Sequence, residues 1–299
     1  MAHVHHFSYG PLTPVSAYVM SFVGSFLGLL CMTRARASTG RSRASWLSLA
    51  ALAIGGTGIW VMHFIAMLGF SVSGMPIRYN VPVTLLSCLT AVVVVAVGLF
   101  ILGFGGTGPG VIVTGGLVMG IGVVSMHYSG MAAMNMSGDI GYQPALVALS
   151  VVIAVVAATA ALWFCVRVKG LWATCGAALI MGVAVTGMHY TGMAAMRITM
   201  DPGMPAPSGA TASDFLIPLI GGIAVVSITL LIIIAMAPSE DEIRADAEFQ
   251  QRIAARQAEA ATPGAPATPG APATPGAPAA PGAPEASRTR APGDWFDGR

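Results

Sequence analysis

Seven apolar stretches, near 15–32, 46–70, 82–104, 111–134, 145–166, 172–196 and 215–236, take up most of the chain, and none carries Asp, Glu, Lys or Arg in its interior. Each is close to the ~20 residues a helix needs to cross the hydrocarbon core of a bilayer. Lipid offers backbone polar groups no partner, so a spanning segment must be a helix or a barrel strand, and these segments are too long for strands. Turn-forming residues punctuate the breaks: Pro76 and Pro82, Gly105-Gly106 with Pro109, Gly141 with Pro144, and Pro202, Pro205 and Pro207. The pattern predicts an all-α transmembrane bundle of seven helices over 15–236, preceded by an extracytoplasmic N-terminus at 1–14. A short cytoplasmic helix is expected at 237–261, opened by Ser239 and Glu242 in capping-box spacing, with a disordered Pro/Gly/Ala-rich tail at 262–299.

Composition agrees with a lipid environment: 55% of the 299 residues are hydrophobic and 9% charged, too few charges to coat a soluble surface. The net charge of +2, with its arginines in short loops and the tail, provides no stripe to track nucleic acid. The first connection holds Arg34, Arg36, Arg41 and Arg43 and the fifth Arg167 and Lys169, whereas the even connections hold Arg78 and Arg197. The positive-inside bias then puts the N-terminus outside and the C-terminus in the cytoplasm. Cys31, Cys88, Cys165 and Cys175 lie in or beside apolar runs with no C-x-x-C pair, which reads as free thiols. No basic region or small-residue cleavage site precedes the first apolar run, so it reads as a retained span.

Self-similarity is the next signal. Segments 56–67, 120–131 and 182–193 align without gaps, and Met126-His127-Tyr128-Ser129-Gly130-Met131 nearly repeats Met188-His189-Tyr190-Thr191-Gly192-Met193. Met62-His63-Phe64-Ile65-Ala66-Met67 is a weaker copy. Two crossings separate successive histidines, so helices two, four and six run parallel and the imidazoles share one depth, in the outer half of the membrane. Positions three, four and seven apart share a helix face. That stripe carries Gly seven before each His (Gly56, Gly120, Gly182), a small residue three after it (Ala66, Gly130, Gly192) and Met four after it (Met67, Met131, Met193). Small residues let helices approach closely, so this face is expected to look into the bundle.

One buried His with a nearby Met is ordinary interface packing, but three copies at matching depth point to a ligand site. Imidazole with thioether and no carboxylate suits copper, with zinc second. Tyr128 and Tyr190 are expected to orient the ligands through their hydroxyls, which Phe64 cannot do. His3, His5 and His6 offer a loose metal-collecting tract.

The Met-His-Tyr-Thr and Met-His-Tyr-Ser runs at 188–191 and 126–129 resemble the MHYT family of bacterial integral membrane sensor domains, over helices one to six with the seventh leading to the cytoplasm. The resemblance implies three two-helix repeats and sensing of oxygen, carbon monoxide or nitric oxide through copper held by Met62, His63, Met126, His127, Met188 and His189. The first copy departs from the motif after its His. Family members are often fused to cyclic-dinucleotide or histidine kinase domains, and nothing of that kind follows Pro238, so a separate cytoplasmic signalling partner is expected. The leading expectation is a non-enzymatic copper-dependent sensor in the lipid bilayer. A copper or small-solute transporter or channel is the alternative, and a structural subunit that tethers a partner through its tail is the third.

Overall fold

The structure is a computed structural model of the whole chain and describes residues 4–200, 203, 205–237 and 240–260. The tail at 262–299, including its Trp295-Phe296 pair, lies outside the described residues, as do His3 and Ser239. Among the described residues, seven helices are long and apolar enough to cross a membrane: α1 (Leu12–Ala37), α2 (Gly40–Leu68), α3 (Val81–Gly105), α4 (Pro109–Ala132), α5 (Pro144–Arg167), α6 (Leu171–Ala194) and α7 (Ala212–Met236). A polar helix, α8 (Glu240–Ala260), follows. The start signals were well placed in the sequence. Pro82, Pro109 and Pro144 each sit in the first turn of a span, where a missing N–H costs nothing, and Asn80 Oδ1 caps α3 by accepting from the Val83 amide at 3.2 Å.

Six helices close a ring in chain order, with α1 returning to pack on α6. The even helices also touch one another where their C-terminal thirds meet. The outer faces are apolar, with Leu85, Leu89 and Val93 on α3, Val152 and Val156 on α5, and Ile180 and Val183 on α6 all exposed. A contiguous apolar surface of this kind is what a lipid solvent requires.

Among the described residues, six short strands refine the two-helix repeat. β1 (Val4–His5) pairs with β2 (Ser71–Val72), β3 (Arg78–Tyr79) with β4 (Met134–Asn135), and β5 (Gly138–Tyr142) with β6 (Met196–Met200), all antiparallel. In each repeat, therefore, the strand before the odd helix ties to the strand after the even helix. A backbone bond recurs beside each ribbon: the amides of Ser8, Asn80 and Gln143 donate to the carbonyls of Gly69, Ala133 and Ala195, at 2.9, 2.8 and 2.8 Å. The three acceptors all stand six residues after a motif histidine. These bonds satisfy carbonyls that a helix C-terminus would leave open, and they lock each motif end to its own repeat.

The first repeat breaks the symmetry. Residues Leu52–Val61 of α2 form a π-helix, a wider winding that α4 and α6 lack. Its glycines explain how the widened turn is accommodated. A Cβ on Gly55 would stand 2.7 Å from the Ala91 carbonyl of α3, and one on Gly24 of α1 would meet the Gly58 backbone. α7 lies against this segment, where the Thr57 and Ser227 hydroxyls bond at 2.6 Å.

Candidate metal centre

His63, His127 and His189 stand in the last two turns of α2, α4 and α6, and all three are buried. Their Nδ1 atoms converge, with His63 Nδ1 3.0 Å from His189 Nδ1 and 3.1 Å from His127 Nδ1. The three rings stand nearly perpendicular to one another, at interplanar angles of 84°, 86° and 82° and centroid separations of 5.0, 4.9 and 5.1 Å. The triad thus forms a propeller about the bundle axis, and one donor nitrogen of each ring lies within 4.8 Å of the others.

The opposite edges of the His63 and His127 rings each face a glycine of another motif. A Cβ added at Gly130 would collide with His63 Nε2, and one at Gly192 with His127 Nε2. The third position of the same kind, three residues after His63, is Ala66, which is buried. Gly130 and Gly192 therefore make room for another repeat's imidazole. The glycine seven before the histidine serves a different contact. Gly120 lies against Val155 of α5 and Gly182 against Tyr18 and Phe22 of α1, so these two seat the even helices on odd ones and leave the axis to the imidazoles.

Phe64, Tyr128 and Tyr190 correct the expectation of hydroxyl-oriented histidines. Each aromatic ring packs edge-on against its own histidine, at 4.8 Å and 83° for Phe64, 5.0 Å and 77° for Tyr128, and 5.0 Å and 80° for Tyr190. Tyr128 bonds instead to Ser150 on α5, at 2.8 Å, and the Tyr190 hydroxyl is buried without a partner. Phenylalanine does the same ring packing, which is why the first copy tolerates it. Met62, Met67, Met126, Met131, Met188 and Met193 are all at most 2% exposed. Met67 lines a cavity with Tyr9, Leu12 and Tyr79, and Met188 lines one with Ile54, Met119 and Val185.

The N-terminal residues lie over the same end. His5 is in the ribbon with Ser71, the His6 ring is 5.6 Å from Phe70, and Phe7 is 5.5 Å from Tyr190. Half-burial of His6 lowers its pKa below the ordinary imidazole value, and burial raises that of Tyr79 in β3.

The donor set fits a metal ion. Two neutral imidazoles in contact need one N–H and one lone pair, and three nitrogens meeting at a point cannot all be matched that way. The three Nε2 atoms are also buried without any hydrogen-bond partner. With an ion at the Nδ1 point every ring presents its lone pair there and keeps its one N–H on Nε2, which removes the mismatch among the Nδ1 atoms. Three nitrogens around one ion at about 2.0–2.1 Å stand about 3.5 Å apart, so the rings need to spread by roughly half an ångström.

Comparison with known proteins gives the same threefold pattern. A family model described as MHYT, bacterial signalling protein N terminal repeat, matches residues 56–115, 120–178 and 182–244. The chain belongs to the MHYT family. Its relatives include the bifunctional diguanylate cyclase/cyclic di-GMP phosphodiesterase MucR of Pseudomonas aeruginosa, 36% identical over 79% of this chain and 35% of that protein. The cyclic di-GMP phosphodiesterase NbdA of the same organism is 32% identical over 69% of the chain and 27% of that protein, and the signaling protein YkoW of Bacillus subtilis is 28% identical over 67% and 26%. This MHYT chain thus spans about a quarter to a third of the length of these curated relatives. No solved structure matches it. The family repeat begins within an even helix, takes in the next odd one and ends in the helix after that, whereas the ribbons bind each odd helix to the even helix after it.

Proposed function

We propose that this MHYT protein is a non-enzymatic sensor of the cell membrane that holds copper between His63, His127 and His189. Thioethers from Met62, Met67, Met126, Met131, Met188 and Met193 complete the donor set. The observation that carries the reading is the convergence of three buried Nδ1 atoms with no complementary hydrogen-bonding scheme. Neutral nitrogen and soft sulfur without carboxylate favours copper over magnesium or calcium. Copper bound there supplies a position for oxygen, carbon monoxide or nitric oxide. The chain's own part is to bring three imidazoles together, to back two of them with glycine and to exclude water from the cluster.

The arginines between α1 and α2 support an orientation with the histidines toward the outer leaflet, the N-terminus outside and the C-terminus in the cytoplasm. A change in ring spacing is passed along α2 through the π-helical segment to Thr57 and Ser227, and so to α7, which leads toward a separate cytoplasmic signalling partner. Transmission needs two packings that the ligand binds unequally.

The test is the metal content of the full chain purified in detergent, beside the triple variant His63→Ala, His127→Ala, His189→Ala. Copper near stoichiometric in the parent and lost in the variant is expected. Equal, near-zero copper in both overturns the metal, and copper retained by the variant overturns the site.

A further inference from the structure

The bundle end opposite the histidines carries a second arrangement that the metal reading does not use. Arg34 and Arg36 close α1, and Arg41 and Arg43 open α2. Among the described residues no ion pair involves any of the four. Arg34 is engaged by the protein, donating from an Nη to the Ile234 carbonyl at 2.6 Å and standing 5.6 Å from the Trp46 ring centroid. Arg41 is exposed.

Arg36 and Arg43 line one cavity of about 270 Å³ between the ends of α1, α2, α3 and α5. Both are held by backbone carbonyls: Arg36 Nη1 donates to Cys165 at 3.2 Å, while Arg43 donates from Nε to Ser38 at 2.8 Å and from Nη1 to Gly103 at 3.2 Å. Each guanidinium carries five N–H donors, so most remain available after these anchors. Two like charges sharing a partly buried cavity repel, and no carboxylate lines it. The rest of the lining is largely aliphatic, with Met32, Leu47, Leu102 and Val166.

We propose that this cavity is a phospholipid headgroup site, in which Arg36 and Arg43 grip the phosphate of an anionic lipid. Paired guanidinium forks match a phosphate's oxygens, and an anion there relieves the repulsion between them. The apolar lining beside the forks suits the glycerol and upper acyl carbons, which favours a lipid over a free phosphate ion. Basic pockets between spans at the cytoplasmic side are where anionic headgroups are recognised. Thr107, exposed in the turn between α3 and α4, also lines the cavity.

The test uses the full chain, delipidated in an uncharged detergent, with its unfolding midpoint read after adding phosphatidylglycerol, phosphatidylcholine or inorganic phosphate. A ligand that binds the folded state raises the midpoint by mass action. Phosphatidylglycerol is expected to raise it by several degrees more than phosphatidylcholine. That difference should vanish in the double variant R36Q/R43Q and in Thr107→Trp, which fills the cavity and keeps both arginines, so the proposal stays testable if the double variant fails to fold. R41Q, which removes an exposed charge of the same segment, should retain it. Equal shifts from the two lipids, or a difference that survives R36Q/R43Q or Thr107→Trp or disappears in R41Q, would overturn the site. A shift by inorganic phosphate equal to that by phosphatidylglycerol would overturn the lipid as its occupant.

Discussion

Adding one methyl group at Gly192 tests the architecture of the triad directly. Its Cβ would clash with His127 Nε2 and stand 2.8 Å from Cδ2 and 3.2 Å from Cε1. Ordinary carbon contacts lie near 3.5–4.0 Å, so the ring must retreat by about an ångström. Retreat is blocked on the other side, because His127 Nδ1 is already 3.1 Å from His63 Nδ1. Overpacking of this kind costs about 1–3 kcal/mol. Gly→Ala within a helix returns about 0.5–1 kcal/mol, which would obscure the cost if Gly192→Ala were measured alone. Gly187 supplies the control, since it lies in the same helix and a Cβ there meets nothing within 4 Å. The propensity gain largely cancels between the two variants, and the difference left is the overpacking.

Gly187→Ala is therefore expected to unfold at or above the parent's midpoint in detergent, and Gly192→Ala to be about 1–3 kcal/mol less stable than Gly187→Ala. Gly130→Ala should behave like Gly192→Ala, because its Cβ meets His63 Nε2 in the same way. On the proposed function, copper content should fall together with stability at both positions. Matching midpoints for Gly187→Ala and Gly192→Ala would refute the reasoning, since the imidazole could then not be backed by that glycine.

Two further outcomes are expected. The Thr57–Ser227 hydroxyl pair should give a coupling of about 0.5–1.5 kcal/mol in a double-mutant cycle of Thr57→Val and Ser227→Ala read by thermal unfolding, and additive effects would mean that α7 does not rest on the π-helical segment through it. His6 should titrate below the ordinary imidazole value by histidine NMR, moving up in Phe70→Ala as the ring loses its cover. Because burial lowers the folded-state value, docking of the N-terminal strand is at full strength above pH about 6.5 and weakens as the pH falls below it. A midpoint unmoved by Phe70→Ala would mean that Phe70 does not provide the cover.

The seven spans were legible because lipid imposes a simple rule on composition, and Pro82, Pro109 and Pro144 marked starts to within a residue or two. The triad was legible because repetition carried information that a single His does not. The ribbons were not legible: pairs such as Ser71–Val72 are too short for any alternation, and their pairing depends on where the helix ends meet. The π-helical segment was hidden for a different reason. Residues 56–67 align without a gap to their counterparts, so its width follows from its packing against Gly24 and Ala91 on other helices. The tyrosines misled because a hydroxyl beside a histidine suggests a hydrogen bond, while the helix turns the two side chains about 100° apart.

The broken symmetry bears on how a threefold site addresses one outgoing helix. Equivalent repeats share any strain from the triad equally, as the recurring bonds from Ser8, Asn80 and Gln143 require of the three motif ends. A single seventh helix can respond only where one repeat differs from the others. That difference lies in α2, whose π-helical turns directly precede Met62 and His63 and carry Thr57 against α7. A π-helical turn is rare and is often found at functional positions. On the proposed function, the first repeat's departures, Phe64 for Tyr and a widened helix for a regular one, fall on the helix that both holds an imidazole and contacts the exit helix. Gly55→Ala would put a Cβ 2.7 Å from the Ala91 carbonyl of α3 and so force the π-helical segment to shift. It should leave the outer ribbon bonds in place while parting Thr57 from Ser227, which disulfide trapping of a Thr57→Cys, Ser227→Cys pair would report by its loss.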